Sequence, residues 1–81
     1  MTLVELIGIK MPIYKYFKVD SVFAHRLDEV LFLLRRQSVG ICRIFPREEL
    51  ISTKHSGKIE VIPAYQVREG DCVKILISKN G

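Results

Sequence analysis

The stretch "VDSVFAHRLDEVLFLLRRQ", residues 19 to 37, most constrains what this chain can fold into. Phe23, Leu27, Val30, Leu31 and Leu34 recur at three- and four-residue intervals, the spacing that gathers side chains along one stripe of an α-helix. Asp20 or Ser21 supplies a start signal, Asp28 and Glu29 put carboxylates early, and Arg35 and Arg36 put cations last, where they complement the helix dipole. One amphipathic helix over residues 23–36 is expected. Phe32 and Leu33 fall off the main stripe, so the buried face is wide or one of the two stays in solvent.

The flanking segments have strand character. "LVELIGI" at 3–9 carries Glu5 among apolar neighbours, and Glu5 in water turns Val4 and Leu6 inward. Met11 and Pro12 mark a turn, after which "IYKYFKV" at 13–19, rich in aromatic and β-branched residues, forms the return arm of a hairpin. "VGICRIF" at 39–45 is a third strand, stopped by Pro46. With Arg43 in solvent, Ile41 and Phe45 face out as well, and Cys42 and Ile44 enter the core. Residues 47–58 are polar and turn-like, with a short helical turn at 47–50. "IEVIP" is a short strand closed by Pro63, and "CVKILIS" is the last strand, with Val73, Ile75 and Ile77 inward and Cys72, Lys74 and Leu76 outward.

Eighty-one residues make a single domain, 1–81, which buries only about 60% or a little more of its unfolded surface. The order strand, strand, helix, strand, short strand, strand is an α+β pattern. The expected fold is a β-grasp, ubiquitin-like domain: a mixed four- to five-stranded sheet with the amphipathic helix on one face. Right-handed crossovers dominate, and this arrangement accommodates one between the second and third strands.

Composition narrows the chemistry. The chain is 48% hydrophobic and 27% charged, which fits a soluble globular protein. Its strongest apolar run, Val30 to Leu34, is far short of the roughly 20 residues of a membrane span, and the N-terminus lacks the layout of a secretion signal, so no membrane role and a cytoplasmic location are expected. Thirteen Lys and Arg against nine Asp and Glu leave a formal charge of +4, but the cations are scattered, which weakens a nucleic-acid reading. Cys42 and Cys72 have no metal or disulfide spacing, and His25 and His55 have no ligand pattern around them, so neither a metal nor a cofactor is expected. Glu48 and Glu49 read as a solvated turn. No Ser-His-Asp or Cys-His arrangement and no glycine-rich phosphate loop is present, so the chain does not read as an enzyme.

"RLDEVLFLL" followed by "QVREGDCVKILI" and a terminal glycine resembles the ubiquitin-like sulfur-carrier proteins of thiamine and molybdopterin biosynthesis. In that family a Gly-Asp-x-Val step enters the last strand, and Gly70, Asp71 and Val73 match it in an architectural role. The resemblance implies a carrier whose C-terminal glycine, here Gly81, is adenylated and converted to a thiocarboxylate. It implies as partners a ubiquitin-activating-type adenylating enzyme or a sulfur-accepting synthase. Asn80 stands where the first glycine of the family's Gly-Gly ending would be, and its side chain departs from that slim, flexible strip. "SGKIEVIPAYQVREGDCVKILISKN" also resembles the TGS domain, which implies RNA- or nucleotide-related binding as the alternative. "GKIEVIP" with "REGDCVKILI" resembles, more distantly, the swapped-hairpin transcription factors.

Strand parity adds an expectation that needs no family. If Glu5, Arg43 and Lys74 face away from the helix, then Leu3, Ile7, Ile41, Phe45, Cys72 and Leu76 share that open face. Such an apolar patch with a charged rim marks a docking surface for a partner, a second copy of the chain included. Arg43, Lys74 and Lys79 would select an acidic partner.

Overall fold

Two-residue turns at Leu27–Asp28, Gln37–Ser38 and Ser56–Gly57 divide most of the chain into antiparallel hairpins in the structure, a computed structural model that describes residues 12–78. The strands are β1 (Ile13–Arg26), β2 (Glu29–Arg36), β3 (Val39–Pro46), β4 (Leu50–His55), β5 (Lys58–Pro63) and β6 (Cys72–Ser78), with a short 3-10 turn, Ala64–Gln66, before the last. They form one sheet in the order β3-β2-β1-β6-β4-β5, with every neighbouring pair antiparallel. At Ser56 and Gly57 both φ angles are positive, 49° and 81°, as a type I′ hairpin turn requires.

The α+β expectation is overturned, and with it the β-grasp: among the described residues no α-helix is present, and residues 23–36 form the end of β1, a turn and β2. The run Val30 to Leu34 satisfies two periods at once. Taken in twos, Val30, Phe32 and Leu34 are buried, at 5%, 0% and 2% exposure, while Leu33 between them is 40% exposed. Leu27, a member of the helical stripe, is fully exposed at the hairpin tip. Strand pairing on both sides supplies the burial that a lone helix would have needed from a sheet beneath it. The two arginines serve cross-strand contacts instead of a helix end. Arg35 donates to the Asp20 carboxylate at 2.9 Å, and Arg36 donates to the Tyr16 carbonyl at 3.3 Å.

A bulge at Asp20 lets β1 keep its apolar residues on one face. Val19 pairs with Leu34 and Ser21 pairs with Leu33, so one residue is extra and the side-chain alternation shifts. Phe17 and Val19 before the bulge and Val22 after it therefore point to the same side as Phe32 and Leu34. β1 also changes neighbour along its length. Residues 13–18 pair with β6, and residues 18–26 pair with β2.

The three-residue link from Pro46 to Leu50 fixes the curvature. It joins β3, at one edge, to β4, four strand spacings away. Four spacings in a flat sheet are about 19 Å, whereas four Cα steps reach at most about 15 Å. The sheet therefore curls. Phe17, Val19, Val30, Phe32, Leu34, Ile51, Val73 and Ile75 fill its concave side, joined by Ala64 and Val67 from the 3-10 turn and the residue after it.

Segments 13–19, 39–45, 59–63 and 72–78, expected as strands, lie in β1, β3, β5 and β6. Their facings need correction. Ile41 and Phe45 pack against the core, while Cys42 is exposed and Ile44 is 45% exposed, the reverse of the expected parity. The reason is the register: Ile41 and Phe45 lie opposite Leu34 and Val30 on the buried side of β2. In β6, Val73 and Ile75 are buried as expected, but Ile77 is 46% exposed. Residues 47–58, expected to be turn-like with a short helical turn at 47–50, have no helix there and contain β4, where Ile51 and Thr53 alternate inward; the Thr53 hydroxyl donates to the Ile51 carbonyl at 3.1 Å, which lets it be buried. The segment 3–9 lies outside the described residues.

Candidate binding groove

Curling brings β3 and β6 to the two sides of a groove although two strands separate them in the sheet. Tyr14, Arg43, Phe45, Glu49, Lys74, Ile75 and Leu76 line a space of about 350 Å³. Tyr14 and Leu76 arrive together because they are directly paired in register. Phe45 is held by Phe32, whose ring centre is 5.5 Å away. The Lys74 ammonium lies 5.1 Å from the centre of the Tyr14 ring, a cation–π distance that keeps the charge at the groove. Arg43 donates to its neighbour's carbonyl, that of Cys42, at 3.2 Å. Among the described residues neither cation forms an ion pair, and neither does Glu49.

Four of the six residues expected to dock a partner, Arg43, Phe45, Lys74 and Leu76, thus line one groove, though not as a flat sheet face. Ile41 is packed against the core instead, and Cys72 sits half-buried between Lys18 and Lys54 in the ladder. Tyr14, Glu49 and Ile75 complete the groove without having been anticipated. The aromatic strand "IYKYFKV" was the signal for Tyr14, but its facing could not be fixed without its β6 partner. Gly81, Asn80, Lys79, Leu3 and Ile7 lie outside the described residues.

A second, larger groove of about 390 Å³ is lined by His55, Glu60, Ile62, Tyr65, Gln66, Arg68 and Asp71. Here Asp71 is buried, and both of its carboxylate oxygens are engaged. His55 Nδ1 lies 2.5 Å from Oδ1, and the Arg68 amide donates to Oδ2 at 3.1 Å. Gly70, at φ 92°, lets the chain turn, and the Asp71 amide donates to the Arg68 carbonyl across it. The Gly-Asp step then joins β1, since the Gly70 amide donates to the Val19 carbonyl and the Val19 amide to that of Asp71. The His–Asp contact has the form of two members of a hydrolytic triad. Among the described residues no Ser, Thr or Cys lines the groove, and the contacts that the structure shows for the pair anchor the turn.

Among the described residues no group of three His, Cys, Asp or Glu is placed to hold a metal ion, and no helix is long and apolar enough to cross a membrane. No protein-family model matches the chain, and comparison with curated proteins and with solved structures finds no match either.

Proposed function

We propose that this chain is a protein-interaction module whose β3–β6 groove takes an acidic, apolar-bearing peptide segment. The observation that carries the reading is the pairing of two cations without ion-pair partners among the described residues, Arg43 and Lys74, with an apolar lining of Tyr14, Phe45, Ile75 and Leu76. The apolar lining supplies affinity by burial, and the cations select the sign of the ligand. Glu49 leaves the groove with a net charge of one positive unit, enough to bias but not to bind on charge alone.

Sulfur carriage through Gly81 is the other reading: the β-grasp that its resemblance implies is not the fold observed, and Gly81 lies outside the described residues, so the groove is preferred. The RNA-binding alternative asks for a track of cations along a backbone, and two cations beside a carboxylate make a poor track.

The test is fluorescence anisotropy with three labelled probes: a short peptide alternating Leu with Glu, the same peptide with Lys for Glu, and a short single-stranded RNA. The expected result is binding of the acidic peptide alone. Arg43→Glu with Lys74→Glu should weaken that binding by about tenfold, roughly 1.4 kcal/mol. Equal binding of both peptides removes the charge argument. Tighter binding of RNA, falling steeply with salt, replaces the proposal with the nucleic-acid reading.

A further inference from the structure

The two edges of the sheet are not protected equally. β5 carries Lys58 and Glu60, two exposed charges whose presence on the edge discourages another strand from adding there. β3 spans eight residues, has β2 as its one ladder partner among the described residues, and carries Arg43 as its sole charge. An edge of that length with one charge is a template for a further strand.

We propose that the occupant of the β3 edge is the β3 strand of a second copy of this chain, paired antiparallel about a two-fold axis at Cys42. Side-chain parity, charge and ladder length select this register, since an axis at Gly40 or Ile44 pairs fewer residues of β3. In a coplanar antiparallel pair the two-fold axis stands perpendicular to the sheet and keeps faces, so each residue lies opposite one of the same face and the axis passes midway between one residue and its own counterpart. An axis at Arg43 sets guanidinium against guanidinium. An axis at Ile41 draws Gln37, at φ 57° in the hairpin turn, into the ladder. The axis at Cys42 pairs residues 39 to 45 with their counterparts and sets no like charges opposite one another.

The pairs formed in this register match what the single chain leaves open. Phe45, half-buried on the concave side, meets Val39 of the copy, which is 54% exposed in the single chain. Aromatic against β-branched is a favourable cross-strand pair, and the symmetry makes it twice. On the convex side Cys42 meets its own counterpart. Since Cys42 already lies opposite Leu33, 40% exposed, an apolar row runs across the axis from Leu33 to Leu33 of the copy. The inference does not rest on the groove's ligand.

Sedimentation equilibrium combined with diamide oxidation tests the register. The expected mass is twice the 9.4 kDa of the chain at high concentration, and diamide should oxidise the two facing thiols to one intermolecular disulfide while it is reduced to the hydrazine. Directly opposed residues have Cα atoms about 4.5–5.5 Å apart, inside the roughly 4.4–6.8 Å that a disulfide spans. Cys72→Ser should keep the cross-link and Cys42→Ser should abolish it. Cys42→Asp, at an exposed position, should return the mass to 9.4 kDa with an unchanged circular dichroism spectrum. A monomer at every concentration overturns the proposal, including the case in which residues 1–11 of the same chain cover the edge. A dimer that survives Cys42→Asp, or one that cross-links through Cys72, overturns it as well.

Discussion

Asp71 meets His55 at 2.5 Å beneath the turn that enters the last strand, and the contact joins two elements far apart in sequence, the end of β4 and the start of β6. The partners differ in burial, with side-chain exposures of 7% for Asp71 and 66% for His55. Removing the buried one leaves the Arg68 amide without its acceptor; removing the exposed one leaves Oδ1 close to water. Asp71→Ala is expected to cost about 1–3 kcal/mol and His55→Ala less than about 1 kcal/mol. Urea unfolding of both variants checks the order, and a larger loss for His55→Ala would reverse the assignment of which residue holds the turn.

Leu27 and Phe32 separate the sheet from the helix that the sequence suggests. In a helix over 23–36, Leu27 belongs to the buried stripe and Phe32 does not. In the sheet Leu27 is fully exposed and Phe32 fully buried. Leu27→Ser should change stability by no more than about 0.5 kcal/mol, and Phe32→Ala should cost about 3–5 kcal/mol. Chemical denaturation of the two variants reads the difference, and a severe loss at Leu27 would restore the helix.

Positive φ angles make a third pair of expectations with opposite signs. Gly70, at 92°, has no atom within 4 Å of where a Cβ would stand, so Gly70→Ala is penalised for backbone conformation alone, by about 1–2 kcal/mol. Ser56, at 49° in the type I′ turn, is a residue that asparagine or glycine replaces with less strain. Ser56→Asn should raise the melting temperature, and calorimetry that found a fall would remove the type I′ assignment.

The ion pair of Arg35 with Asp20 sits at the bulge, but side-chain exposures of 65% and 34% leave it largely in solvent. Asp20→Ala should cost less than about 1 kcal/mol, with the loss shrinking as salt rises. A salt-independent loss of several kcal/mol would mean that the carboxylate shapes the bulge itself.

Much of the strand content was legible along the chain, because "IYKYFKV", "VGICRIF", "IEVIP" and "CVKILIS" combine β-branched or aromatic residues with Pro, Gly and Asp boundaries, and those preferences act locally. The turn at Gly70 and Asp71 was legible for the same reason. The groove was half legible: Arg43, Phe45, Lys74 and Leu76 were singled out, but Tyr14 and Glu49 belong to it only through register and curvature.

What the sequence by itself determined, then, is where the chain turns and which segments favour extension. Tertiary structure decided the state of residues 23–36, since the run Val30 to Leu34 fits a helical and a strand period equally and burial between β1 and β3 breaks the tie. It also decided the facing of β3. Arg43 appeared to assign its neighbours to solvent, yet a long cationic side chain can lie on the same side as Ile41 and Phe45 and still reach water at an edge. Period and composition describe a segment alone; which face is buried depends on the strand that comes to lie beside it.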